Sequence, residues 1–188
     1  MEIASGDTQL TDEIIQASEI QGSYNDEVAL SEDDSGKIAI SNDNKTLGKT
    51  VNELTFEAIG EAIENDCTIY LKPGTYFGDS QISIDGKSNI KIIGNSTILD
   101  AQGKTGIFYI HDSRNIIIQN ITFKNANSDS KGGAIYFYSA SNNHVNDCIF
   151  INNSAKSGGA IEAYDVSTYC GIYNCIFIKT FFEPCHFF

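Results

Sequence analysis

Two periods of apolar residues divide the chain. Between Thr50 and Asp66 the spacing is helical, with Leu54, Ala58 and Ala62 on one row and Ile59 and Ile63 beside it. A helix over 51–66 is expected there, with Asn52 or Thr50 as its N-cap. It is short, so it must dock on something to persist. From Cys67 the period drops to two. Ile69 and Leu71, Ile82 and Ile84, then Ile90 and Ile92 alternate with polar residues, and Lys72-Pro73-Gly74 and Asp85-Gly86-Lys87 punctuate them as turns.

The strand text repeats itself. Asn120-Ile121-Thr122-Phe123 returns as Asp147-Cys148-Ile149-Phe150 and again as Asn174-Cys175-Ile176-Phe177, at steps of 27 residues. Gly132-Gly133-Ala134-Ile135 returns as Gly158-Gly159-Ala160-Ile161 after 26, and Ser88-Asn89-Ile90 is echoed by Arg114-Asn115-Ile116 after 26. No single repeat of this length encloses a core, whereas stacked copies hydrogen-bond strand to equivalent strand about 4.8 Å apart. The sequence therefore predicts an all-β parallel β-helix of four to five coils over 67–180, capped by the helix. Ile121, Ile149 and Ile176 are expected to form one inner ladder and Phe123, Phe150 and Phe177 another, each buried side chain contributing about 2 kcal/mol. The Gly-Gly pairs read as corners needing positive φ or close backbone approach. Asn125, Asn152 and Asn153 read as left-handed turn residues that bond along the stack.

Composition sharpens this picture at the ends. Residues 1–50 hold 11 acidic and 3 basic side chains, a net of −8 of the chain's −13, in polar text such as Ser31-Glu32-Asp33-Asp34-Ser35-Gly36. They read as an acidic, mostly disordered leader. The opening residues suggest a mature exported chain. Residues 181–188 read as an irregular, truncated end, because a repeat protein needs a polar terminal cap and the tail is apolar. Self-association through that open end is expected.

The charge excludes nucleic acid as a partner, since phosphate binding needs clustered Lys and Arg, and it disfavours anionic lipid. No apolar run is long enough to cross a membrane as a helix. Five cysteines without a CxxC pair give no zinc spacing. Cys148 and Cys175 fall on adjacent coils within disulfide reach, although reduced ladder positions are the commoner outcome. No cofactor and no metal site is expected. Asn44, Asn95, Asn120 and Asn152 open Asn-x-Ser/Thr sequons, with Asn120 expected to be shielded by the ladder.

Thr68-Ile69-Tyr70-Leu71-Lys72-Pro73-Gly74-Thr75-Tyr76, following a short helix, resembles the first coil of the right-handed parallel β-helix in the pectin-lyase-like superfamily. The Gly-Gly-Ala-Ile repeats with Phe150-Ile151-Asn152-Asn153 between them are similar to those of polymorphic outer-membrane proteins. The text as a whole resembles the adhesin-like surface proteins of methanogenic archaea. That resemblance implies a right-handed coil, an extracellular or cell-surface location, and a non-catalytic role in attachment to surface glycans or surface proteins. The alternative it implies is a polysaccharide-active or carbohydrate-binding β-helix, a lyase or hydrolase. Enzymes of that kind need carboxylates or a base converging on one sugar linkage. Asp85 and Asp112, 27 residues apart, both read as turn residues. His111, Asp112 and Arg114 form the best candidate cluster, and His144 does not align with it. Tyr136, Phe137, Tyr138 and Tyr164 form a candidate sugar platform, of which alternation should leave only about half outward, Tyr136 and Tyr138 among them.

Overall fold

The computed structural model describes residues 30–32, 38–40, 47–166 and 169–182. The chain divides into two units, Met1–Lys45 and Thr46–Phe188. In the first, β1 (Leu30–Glu32) and β2 (Ile38–Ile40) pair antiparallel. Of the residues 1–50 expected to form the mostly disordered leader, 47–50 also belong to a strand, and 1–29, 33–37 and 41–46, the Asn44 sequon among them, lie outside the described residues. So do residues 183–188 and Cys185.

The second unit begins with β3 (Leu47–Val51), which pairs in parallel with β4 (Cys67–Leu71). Between them lies helix α1 (Phe56–Ala62). The helix is shorter than its apolar spacing predicts, and its N-cap is neither Thr50 nor Asn52 but Thr55, whose hydroxyl accepts from the Ala58 N–H at 3.1 Å. Thr50 is drawn into β3 because β4 offers it a strand edge, which leaves the helix one face, Phe56 and Ile59, to bury. Lys49 ties the two together, donating to the Ala62 carbonyl at 3.3 Å and pairing with Glu64 at 2.8 Å. That hydrogen bond and the lysine's charge hold the Glu64 carboxyl below its ordinary range.

The coils then stack. The next strands are β5 (Gly74–Phe77), β6 (Ile82–Asp85) and β7 (Ser88–Asp100). After these come β8 (Phe108–His111), β9 (Arg114–Lys124), β10 (Asn127–Lys131) and β11 (Ile135–Tyr138). The last are β12 (Asn143–Asn146), β13 (Ile149–Ile151), β14 (Ser154–Ser157), β15 (Ile161–Tyr164), β16 (Cys170–Tyr173), β17 (Ile176–Ile178) and β18 (Phe181–Phe182). Equivalent strands of successive coils pair in parallel. One face is β3–β4–β7–β9–β12–β16, a second β6–β8–β11–β15 and a third β10–β14–β18. The long strands β7 and β9 turn a corner midway, so their second halves carry β5 on one side and β13, then β17, on the other. The result is the parallel β-helix the repeat predicts.

Inside, Ile69, Ile92, Ile118 and Val145 form one buried column, and Tyr76, Leu99, Phe123 and Phe150 another. The Phe ladder is as expected, with Phe150 stacked 4.8 Å from Phe123 and 4.9 Å from Phe177. The isoleucine ladder is not. Phe150 pairs with Phe123, so Ile149 pairs with Thr122 and points the other way. Cys148 therefore takes the inward position one coil above Ile121, and Ile176 is 55% exposed. Cys67, Cys148, Cys170 and Cys175 are free thiols. Burial pushes the Cys148 thiol up to about 12.

The corners are columns of left-handed residues. Asp66, Asn89, Asn115 and Asn142 all have φ between 52° and 58° and are linked side chain to side chain up the stack at 2.6 to 2.8 Å. Asn125 and Asn152 make a second such column, as predicted. Asn153 differs from both, being buried, accepting from the Ala126 N–H and donating to the Phe123 carbonyl in the coil below. Gly132 has φ 58°, and a Cβ on its neighbour Gly133 would run into the Gly159 carbonyl of the next coil, so the Gly-Gly corner demands both residues. Asn120, expected to be shielded, is itself a corner residue at φ 57° with its side chain exposed.

Candidate functional site

The sheet β6–β8–β11–β15 carries an outward set of side chains that the stack does not use. Alternation sends Ile82 and Ile84, Phe108 and Ile110, and Ile135 and Phe137 inward. The intervening residues form two outer columns in parallel register. The first is Ser83–Tyr109–Tyr136–Glu162 and the second Asp85–His111–Tyr138–Tyr164. Tyr136, Tyr138 and Tyr164 thus meet on one face, and Phe137 is buried, as alternation requires. Tyr109 is the member missed from sequence. Its signal was present: it precedes Tyr136 by 27 residues, in the coil where Thr105-Gly106 stands in place of Gly-Gly.

The rings are packed against one another. Tyr109 lies 5.5 Å from Tyr136, His111 lies 5.1 Å from Tyr138, and Tyr138 lies 5.9 Å from Tyr164, with planes within 29° of parallel. Across the columns Tyr109 is 5.7 Å from His111 and Tyr136 is 6.1 Å from Tyr138. Apart from the tilted Tyr136–Tyr138 pair, at 40°, these are offset-stacked arrangements, so each ring covers part of its neighbour and leaves a strip of face and an edge outward. None of the four phenol hydroxyls meets a hydrogen-bonding group among the described residues. Burial pushes the Tyr109 and Tyr136 phenols up, so both stay protonated donors at neutral pH. The Lys131 ammonium sits 3.6 Å from the centre of the Tyr164 ring and 5.9 Å from that of Tyr136.

The foot of the second column is charged. His111 Nδ1 lies 3.3 Å from Asp85 and Nε2 lies 3.2 Å from Asp112. Asp85 is therefore not the equivalent of Asp112; it pairs with His111 across the coils, and Asp112 (φ 47°) is the corner that follows. The three side chains each bring a ligand atom within 4.8 Å of the others, the kind of imidazole–carboxylate set that suits a zinc-class cation. Both imidazole nitrogens already face a carboxylate, so a cation there would displace one of these contacts. Arg114 does not join them. It opens β9 on the next face, is exposed, and makes no ion pair among the described residues. His144 is likewise on another sheet, opposite Ile117.

A family model for the right-handed β-helix region matches residues 6–179. The chain belongs to the right-handed β-helix family. No curated protein and no solved structure shows significant similarity to it. Membership of the right-handed β-helix family fits a surface or carbohydrate-related module. Since that family holds enzymes and non-enzymes alike, function is to be read from the chemistry of the site and not from the fold. Among the described residues no helix is long and apolar enough to cross a membrane.

Proposed function

We propose that this protein is a non-catalytic, extracellular or cell-surface attachment module that holds a glycan on the outer face of β6–β8–β11–β15. The observation that carries the reading is the array of outward rings, Tyr109, Tyr136, Tyr138 and Tyr164, with His111 among them. Elsewhere the recurring positions serve the structure, with Ile and Phe filling the interior and Asn and Gly making the corners. On this face large aromatic side chains stand outward, with hydroxyls that meet no partner among the described residues, and a contiguous aromatic surface of this kind marks an interaction site. Sugars suit such a surface because they offer apolar C–H faces and hydroxyls together.

A polysaccharide-active enzyme is the second reading, and the Asp85–His111–Asp112 group beside the same rings is what favours it. Against it stands the engagement of both His111 nitrogens by carboxylates, which turns neither nitrogen toward a substrate. Two assays on the whole chain separate the readings. On a glycan array, binding that disappears in the Tyr136→Ala/Tyr138→Ala double variant supports attachment, and unchanged binding removes the face from the account. Release of reducing ends or unsaturated products from polygalacturonate, lost in His111→Ala and Asp112→Ala, would establish the enzyme instead.

A further inference from the structure

We infer that the ligand of this face is an extended, electrically neutral β-1,4-linked glycan lying along the solenoid axis with one sugar to each coil. The inference rests on the glycan-binding reading above and narrows it to one class. Its basis is the match of one repeat to another. The rings recur because the coils recur, at 5.1 and 5.9 Å up the second column and 5.5 Å up the first. A ligand engaging several of them must repeat at that step, close to the ~4.8 Å between paired strands. A flat, β-1,4-linked pyranose chain advances by about one ring length per sugar and meets the condition. An extended peptide does not. Its same-side residues recur at about 6.8 Å, so it slips out of register with the rings within two or three coils.

Charge selects among glycans. The outer columns carry Asp85 and Glu162, with Asp112 at the adjoining corner, and the Lys131 ammonium beside them is already held over Tyr164, on a chain of net charge −13. A polyuronate would set one more negative charge beside these at every coil. A neutral chain brings only hydroxyls, for which the protonated Tyr109 and Tyr136 phenols are donors, and C–H faces for the exposed strips of ring. The second column presents three rings, His111, Tyr138 and Tyr164, by their outer strips and edges, since Tyr138 is stacked from both sides and Lys131 lies over Tyr164.

Isothermal titration of the full chain with cello-oligosaccharides of increasing length, and with oligogalacturonates of the same lengths, tests this. The expected result is an affinity for the neutral series that climbs through about the third sugar and then levels, with the acidic series bound more weakly. Tyr138→Ala should weaken the longer neutral ligands about fivefold to tenfold, as loss of a ring contact implies. Tyr138→Phe should keep most of the affinity, and Tyr70→Ala, outward on another face, should keep all of it. Equal or tighter binding of oligogalacturonate, or an affinity independent of length, would overturn the neutral, axial ligand and leave the attachment reading standing. Failure of both series while array glycans bind through Tyr136 and Tyr138 overturns it too. Failure on the array as well overturns the attachment reading itself.

Discussion

Phe150→Ala should be the most damaging single truncation of the aromatic ladder, and its cost follows from its neighbours. Phe150 is 0% exposed and lies 4.8 Å from Phe123 and 4.9 Å from Phe177, both rings within 7° of parallel. Removing a buried phenylalanine costs about 3–5 kcal/mol, from lost transfer energy plus the cavity. Two stacked contacts at roughly 0.5–1.5 kcal/mol each place this site toward the upper end of that range. In a solenoid, stability is close to a sum of coil energies and interfaces between coils, and Phe150 serves two interfaces. Phe177 serves one and is 48% exposed, so Phe177→Ala should cost only about 1–1.5 kcal/mol. Urea unfolding followed by far-UV circular dichroism measures both. At about 2–4 °C per kcal/mol for a unit of this size, the melting temperatures should fall by roughly 10–15 °C and 3–5 °C. Equal losses in the two variants would refute the stacking order, because they would mean that Phe150 is no more enclosed than Phe177.

The corner columns, the buried thiol and the exposed last strands give further expectations. Asn115→Ala should destabilise by about 2 kcal/mol, since it forces alanine to φ 56° and breaks the bonds to Asn89 and Asn142; Asn115→Gly should recover about half of this in the same unfolding experiment. Burial raises the Cys148 thiol from 9.0 to about 12, so the folded state holds a proton that the unfolded state releases first. The resulting stability is fully present below about pH 9 and is lost as pH climbs toward 12, by roughly 4 kcal/mol in the limit; Cys148→Ala should flatten that part of the pH profile. In native protein at neutral pH, mass spectrometry after alkylation should find Cys170 modified and Cys67 and Cys148 protected. Strands β16 and β17 expose Ile172, Ile176 and Phe177, so light scattering should show self-association rising with concentration, and a monodisperse monomer would contradict it.

The architecture was legible because a solenoid writes its period into the sequence: every coil needs the same corner and the same inward residue, so Asn and Phe recur at 26 or 27. What was misread depends on that one-residue difference. Asp85 and Asp112, 27 apart, read alike as turn residues, whereas a step of 26 sets Asp85 against His111 and creates the charged group. A misplaced inward position assigned the isoleucine ladder to Ile149 and Ile176, although Cys148 and Cys175 continue Ile121. The helix was overdrawn at both ends: Val51 goes to β3, a tertiary pairing invisible to local spacing, Thr55 caps the first turn, and Ile63 is already extended on the way to β4. The aromatic face was half legible: Tyr136, Tyr138 and Tyr164 stood out beside their Gly-Gly corners, and Tyr109 did not because its coil lacks one. Arg114 lies near His111 in sequence, yet the corner at Asp112 and Ser113 puts it on a different sheet.

The claim that the outer rings of β6–β8–β11–β15 hold a glycan is met most directly by NMR of the full chain with isotope-labelled tyrosine rings, titrated with a soluble cello-oligosaccharide. The account predicts that the Tyr109, Tyr136, Tyr138 and Tyr164 resonances shift together along one binding curve while those of Tyr70, Tyr76 and Tyr173 stay in place. Shifts at Tyr70 or Tyr173 with the four face tyrosines unmoved would contradict it.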